Sequence, residues 1–302
     1  MRILVLGATG FLGRHIARRL RTLPGARVLV AGRPPGADLP ADLVTDDAEQ
    51  LAARLRRAAP DAVVNCAGAV GGSPVTLAAL NARGPAVLCE ALRAAAPAAR
   101  LVHLGSAGEY GPADGRRPRS ETDPAGPLGL YGATKLAGTL AVRESGLDAV
   151  VLRVFNPVGP GAPAGSLPGR LAAELLRAGP EGRIEVGDLS AHRDFVDVRD
   201  VAEAVARAVA AAPDSLPDLL NIGSGTARPV RDVAGALIAA AGFRGVLDEG
   251  GAGSPRSAAV PWTQADITLA ARSLGWSPRV PLADSLADLW AETAARTGER
   301  AR

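Results

Sequence analysis

Arg2-Ile3-Leu4-Val5-Leu6-Gly7-Ala8-Thr9-Gly10-Phe11-Leu12-Gly13 is the stretch that decides the fold. Its apolar run, unbroken from Ile3 to Leu6, reads as a strand buried on both faces, as in a parallel sheet. Gly7, Gly10 and Gly13 follow in G-x-x-G-x-x-G spacing, and an amphipathic stretch, Gly13–Leu23, comes next. Strand, glycine turn and helix stand in the order of a dinucleotide-binding unit. Glycines let backbone N–H groups approach a pyrophosphate, and the helix N-terminus adds the positive end of its dipole.

The same alternation continues outward. Strands are expected at Arg27–Ala31, Ala62–Asn65, Leu101–Leu104, Ala149–Val154 and Leu219–Ile222, with helices over Glu49–Ala59, Val75–Ala95, Tyr131–Ser145 and Arg199–Ala212. This is the pattern of an α/β protein with a Rossmann-type, doubly wound parallel sheet. From Asn156 the rhythm breaks at Pro157, Pro160, Pro163 and Pro168, and helices are expected near Leu171–Ala178, Val230–Ala241 and Leu282–Ala295. The division expected is a dinucleotide-binding domain over 1–155 and 190–228, interleaved with a smaller C-terminal substrate-binding domain over 156–189 and 229–302.

Composition narrows the class. The 302 residues are 47% apolar and 22% charged with a net charge of +3, ordinary values for a globular chain. No apolar run reaches the roughly 18–20 residues that span a bilayer, and no secretory cleavage site follows the first apolar run. A cytoplasmic protein without a membrane partner is expected. Nucleic acid is not expected either, since aromatics are 3% and the arginines are scattered. The densest cluster, Arg116, Arg117 and Arg119, reads as a solvated loop. Cys66 and Cys89 lack metal or redox spacing, and His15, His103 and His192 are unpaired, so no metal site is expected.

Cofactor preference is read at the end of the second strand. Val30-Ala31-Gly32-Arg33 has no carboxylate for a ribose 2′-hydroxyl, whereas Arg33 suits a 2′-phosphate, so NADP(H) is favoured over NAD(H). Tyr131 and Lys135 stand four apart, on one helix face. A nearby ammonium lowers a phenol's pKa and fits the tyrosine for proton transfer at neutral pH. Lys135 is the sole lysine of the chain and Tyr131 one of two tyrosines, so both read as kept for their chemistry.

GATGFLG (7–13), VVNCAG (63–68), LNARGP with Asn81, LGSAGEYG (104–111), YGATK (131–135), RVFNPVGPG (153–161) and RDFVDVRDV (193–201) together resemble the extended short-chain dehydrogenase/reductase family, often described as NAD-dependent epimerase/dehydratase. In motif the chain is most similar to GDP-4-keto-6-deoxy-mannose reductases and related nucleotide-sugar 4-ketoreductases. The resemblance implies Ser106, Tyr131 and Lys135 as catalytic residues. It places Gly7, Gly10, Phe11, Leu12, Gly13, Arg33, Asp46, Ala67, Gly68 and Asn81 at the cofactor, together with Tyr131 and Lys135. It places Ser106, Glu109, Asn156, Arg193 and Arg256 at a nucleotide-diphosphate sugar. Dehydratases of the family carry an acid pair after the catalytic serine or threonine, and epimerase-reductases a cysteine at the second of those positions; here these are Ala107 and Gly108. Ketoreduction is therefore the expected reaction, with 4-epimerisation by an NAD enzyme as the alternative and a non-catalytic NADP(H)-binding regulator as the reading from another class. The family resemblance also implies a homodimer.

Overall fold

A computed structural model describes residues 1–33, 35–112, 115–251 and 260–300. Seven strands form one parallel sheet: β1 (Arg2–Leu6), β2 (Arg27–Gly32), β3 (Leu39–Pro40), β4 (Ala62–Asn65), β5 (Arg100–Ser106), β6 (Ala149–Val154) and β10 (Leu219–Ile222), in the order β10-β6-β5-β4-β1-β2-β3. β1 pairs in register with β2 on one side, Leu4 opposite Leu29, and with β4 on the other, Leu4 opposite Val63. The strand order therefore reverses direction at β1 and β4. Their carboxyl ends bound a crevice of the kind in which doubly wound sheets bind ligands.

Alternate residues of each strand enter opposite cores. Ile3, Val5, Val64, Val102 and Leu152 pack with Ile16 and Leu20 of α1 (Phe11–Leu20) and with the apolar stripe of α7 (Val198–Ala210). Leu4, Leu6, Val63, Leu101 and Val151 pack with Leu51 and Leu55 of α2 (Ala48–Ala58) and with Val87, Leu88 and Leu92 of α4 (Gly84–Ala95). A third apolar cluster gathers Val158, Leu171, Leu175, Val233, Leu237, Leu286 and Leu289. It is built by α6 (Leu167–Ala178), α8 (Val230–Ala241) and α10 (Leu282–Arg300), with the short strands β7 (Asn156–Val158), β8 (Arg183–Glu185) and β12 (Val246–Asp248). A further helix, α9 (Thr268–Leu274), packs at the first cluster.

The six strands expected for the large sheet are present; those built from charged residues or from two or three residues are not foreseen. β9 (His192–Asp197) carries Arg193, Asp194 and Asp197, which hides its alternation, yet it is the middle of a sheet with β7 parallel and β11 (Ala227–Pro229) antiparallel. The helix expected over Val75–Ala95 is three pieces: α3 (Pro74–Ala78), a π-helical turn (Ala79–Arg83) and α4. Arg119, read as solvated, is buried, with its guanidinium over the Tyr110 ring and donating to the carbonyl of Pro112. No helix among the described residues is long and apolar enough to cross a membrane.

Arg100, at the start of β5, closes the far end of the sheet. It makes a forked pair with Asp148 (2.9 and 2.7 Å) and donates to the carbonyls of Ala208, Ala211 and Ala212 at 3.0, 2.8 and 2.6 Å, where α7 ends. A planar five-donor cation is what the orphan carbonyls of a helix C-terminus and a carboxylate require together. Arg100→Met is expected to cost about 3–5 kcal/mol, because Asp148 loses its buried partner. Urea denaturation measures that loss, and activity of the folded variant at low temperature is expected to stay within about twofold of wild type, since additive, distant sites couple weakly.

Candidate active site

The crevice begins at the β1 turn. Gly7 sits at φ +74°, where a side chain is disfavoured, and its carbonyl accepts from the Gly10 N–H at 3.0 Å. A Cβ on Gly13 would lie 2.0 Å from the Gly7 oxygen, so the first turn of α1 closes on β1 only with glycine there. α1 starts at Gly10 without a capping side chain and has no acid in its first turn, which leaves its N-terminal N–H groups to an anion.

The neighbouring turn after β4 is set by two amides. Asn65 Oδ1 accepts from the Ala67 N–H at 3.1 Å, while Asn81, in the π-helical turn, accepts from the Ala69 N–H and donates to its carbonyl, both at 2.8 Å. Asn81 also donates to Thr134 Oγ1 (3.2 Å) on α5 (Leu130–Arg143), so it acts on the crevice through backbone that it fixes. Gly7, Gly10, Phe11, Leu12, Gly13, Ala67, Gly68 and Asn81 thus come together across the β1/β4 crevice. Arg33 is exposed just beyond β2, beside β1 in the sheet. Asp46 uses Oδ2 for the Asp42 N–H (2.8 Å) and Arg54 (2.6 Å), leaving Oδ1 outside these bonds.

The three candidate catalytic residues lie on the β5 side. Ser106 ends β5 and caps a single 3₁₀ turn, Ala107–Glu109, its Oγ accepting from the Gly108 N–H at 3.2 Å. Tyr131 is in the first turn of α5. A Cβ built on Gly108 would stand 3.4 Å from Ser106 Oγ and 3.5 Å from Tyr131 Cε1, so serine and tyrosine flank the same small residue. One turn further, the buried Lys135 donates from Nζ to the Leu104 carbonyl at 2.5 Å. Burial lowers its pKa to about 8, partly offset by the Glu109 carboxylate. Between pH 8 and the ordinary lysine value near ~10.4 the unfolded chain holds the extra proton, so this group's contribution to stability rises with pH across that window.

Glu109 requires a correction. It was expected at the sugar, but it is fully buried beneath the crevice: Oε1 accepts from the Ser106 N–H at 2.7 Å and Oε2 from Arg153 Nε at 2.8 Å. In S-A-G-E the side chain curls back to complete a capping box instead of reaching outward. Asn156 and Arg193 lie on the paired strands β7 and β9, Asn156 donating to the Asp194 carbonyl (3.0 Å) and Arg193 to the His192 carbonyl (2.8 Å). Arg256 lies outside the described residues.

Sequence reading missed Asp194. Its buried carboxylate accepts from the N–H groups of Ser224 (2.6 Å), Gly225 (3.0 Å) and Ala265 (3.0 Å), tying β9 to the turn after β10 and to the segment following 260. Burial still raises its pKa, despite those bonds. The signal available was slight, an acid directly before the apolar pair Phe195-Val196. Among the described residues no group of three or more His, Cys, Asp or Glu is placed to hold a metal.

Residues 3–223 match the NAD dependent epimerase/dehydratase family. The chain belongs to that family. Among relatives, it is 40% identical over 303 residues, covering 96% of this chain and 94% of the relative, to a dTDP-6-deoxy-L-talose 4-dehydrogenase (NAD(P)(+)) of Kitasatospora kifunensis. It is 28% identical over 249 residues, 77% of each chain, to a GDP-6-deoxy-D-mannose reductase of Pseudomonas aeruginosa. Among solved structures, MoeE5 in complex with UDP-glucose and NAD superposes with a TM-score of 0.82 at 29% identity, covering 98% of this chain and 100% of that one. As a member of this family the chain is an NAD(P)-dependent enzyme, and the glycine-lined, acid-free mouth of α1 fits the pyrophosphate of such a cofactor.

Gly13→Ala tests that fit. The added methyl must displace the Gly7 carbonyl, so the expected outcome is a dissociation constant for NADPH or NADH raised about tenfold or more, for a cost of 1–3 kcal/mol from overpacking. Quenching of protein fluorescence by the dinucleotide, set against a denaturation curve, measures both effects.

Proposed function

We propose that the chain is a ketoreductase that reduces C4 of a nucleotide-linked 4-keto-6-deoxyhexose, with NADP(H) preferred over NAD(H). The observation that carries this reading is the placement of Ser106 and Tyr131 about Gly108, a position where neither an acid nor a thiol is available, with Lys135 buried one helical turn beyond Tyr131. Without a carboxylate pair, elimination of water has no acid and base, while a tyrosine, a serine and a lysine suffice for proton transfer to a ketone oxygen. The 40% identical relative is described as a 4-dehydrogenase of a 6-deoxyhexose carried on dTDP, the same redox step written in the oxidising direction. That description also favours a thymidine diphosphate carrier here.

When bound, the nicotinamide supplies the hydride. The chain's own residues then handle the oxygen. Ser106 Oγ already accepts from Gly108 N–H, so its hydroxyl proton is free to donate to the ketone oxygen and hold it. Tyr131 donates its phenolic proton to that oxygen as negative charge develops, and the Lys135 ammonium, close behind on the same helix face, stabilises the phenolate left behind. Asn156, Arg193 and Arg256 are the groups assigned to the sugar diphosphate, with 156–189 and 229–302 as the unit that binds it. Arg33 is assigned to the 2′-phosphate of NADP(H).

The test is the loss of reduced-nicotinamide absorbance when purified protein meets NADPH or NADH and nucleotide-4-keto-6-deoxyhexoses made in situ. Oxidation is expected with NADPH and a dTDP-linked ketone. Interconversion of C4 sugar isomers with no net oxidation would replace this reading by an epimerase. Tyr131→Phe is expected to lower kcat by about 10²–10⁴-fold with dinucleotide affinity retained, the range of a lost general acid. Ser106→Ala is expected to lower it by about 10²–10³-fold, the range for one lost oxyanion donor.

A further inference from the structure

An ammonium as deeply buried as Lys135 needs an opposite charge. Three side chains bear on it: Cys66 just past β4, His103 on β5 and Glu109 on the 3₁₀ turn; Tyr131 stands one turn before it on the same helix, and Arg153 on β6 is ion-paired with Glu109. Cys66 is a thiol whose pKa burial pushes up to about 12, so it carries no charge at neutral pH. His103 is held far below its ordinary value, by burial first and by Lys135 second, and is neutral. Glu109 is left as the one acid.

The surroundings are built to hold that acid inside. Glu109 is fully buried and ion-paired with Arg153 (2.8 Å), which is itself buried and lies over the Tyr110 ring at 4.4 Å. Gly105 makes the room: a Cβ there would stand 2.9 Å from Glu109 Oε1 and 2.9 Å from Val151 Cγ1. The same Oε1 accepts from the Ser106 N–H, while Oε2 takes Arg153. Such a pair is no economical way to gain stability, since well-packed apolar residues of the same volume serve as well or better.

We propose that Glu109 is a positioning residue for the reaction: its buried carboxylate, held by Arg153, is the counter-charge that keeps Lys135 a cation, and the same carboxylate fixes the backbone of Ser106. The inference rests on the roles assigned above to Ser106, Tyr131 and Lys135, but its central claim concerns a charge and can be read without a substrate.

The sole lysine makes that reading direct. Protein grown with ¹³C,¹⁵N-lysine gives one side-chain signal, and its pH titration is the titration of Lys135. A midpoint near 8 is expected for wild type. Glu109→Gln keeps an acceptor for the Ser106 N–H while removing the charge, and is expected to lower the midpoint by about 1–3 pH units. In Glu109→Gln the arginine is left unpaired, so the double variant E109Q/R153M, which buries no lone charge, is the deciding control. A lowered midpoint there too supports Glu109 as the counter-charge. A double variant that titrates like wild type overturns the proposal, because the shift in the single variant would then be Arg153 acting alone. An unchanged midpoint in Glu109→Gln overturns it as well. If Glu109→Gln does not fold, the double variant decides by itself. Once a substrate is in hand, the alkaline limb of kcat in E109Q/R153M is expected to move down with the lysine midpoint. If no nucleotide sugar is turned over by wild type, the functional reading falls while the lysine titration still stands.

Discussion

Lys135 Nζ is a cation withdrawn from water at the carboxyl edge of a sheet, and the groups around it answer to that constraint. Desolvation alone would neutralise it. A strand carbonyl, Leu104, accepts one of its protons, and the thiol and imidazole beside it are uncharged. The acid that acts on it, Glu109, is locked in an ion pair with Arg153 and accepts from the Ser106 N–H. Helix α5 presents its lysine to β5 while keeping its tyrosine at the mouth of the crevice, one turn closer to the helix start. The tyrosine is thus half-buried and the lysine withdrawn from water.

The sheet order explains why the glycine turn and the Ser106–Tyr131–Lys135 group are neighbours. β1 and β4 diverge at the point where the order reverses, and their turns, Gly7–Gly13 and Asn65–Ala69, form one wall. β5, next to β4, supplies Ser106, and α5 packs against the π-helical turn that carries Asn81. One asparagine therefore touches the backbone of the 67–69 turn and the helix that carries Tyr131 and Lys135. The 156–161 segment is joined to α1, the helix after the glycine turn, since Arg14 and His15 both reach the Pro160 carbonyl, at 2.8 and 3.0 Å.

Much of this was legible in the chain. Parallel strands buried on both faces are continuous apolar runs, and six of the seven in the large sheet could be read that way; the seventh, β3, has two residues. The three strands of the smaller sheet were not legible: β7 and β11 have three residues each, and β9 buries Arg193, Asp194 and Asp197, the Asp194 carboxylate through hydrogen bonds that only residues distant in sequence supply. The π-helical turn was equally hidden, since its cause is the seating of Asn81 against the 67–69 turn and α5 and not any residue preference within 79–83.

The sequence by itself determined the class: the glycine spacing, the apolar runs, and a tyrosine four residues before the only lysine are local patterns, and local patterns fix secondary structure and chemistry. Only the tertiary structure decided which way Glu109 faces. A glutamate three residues after a serine reads equally as a ligand contact or as a cap. The choice was made by Arg153 on β6, 44 residues away, and by the space at Gly105, and both come into place only when β5 and β6 pair. Burial is a property of neighbours, and the charge of Lys135 depends on burial, so the lysine's presence is written in the chain and its pKa in the fold.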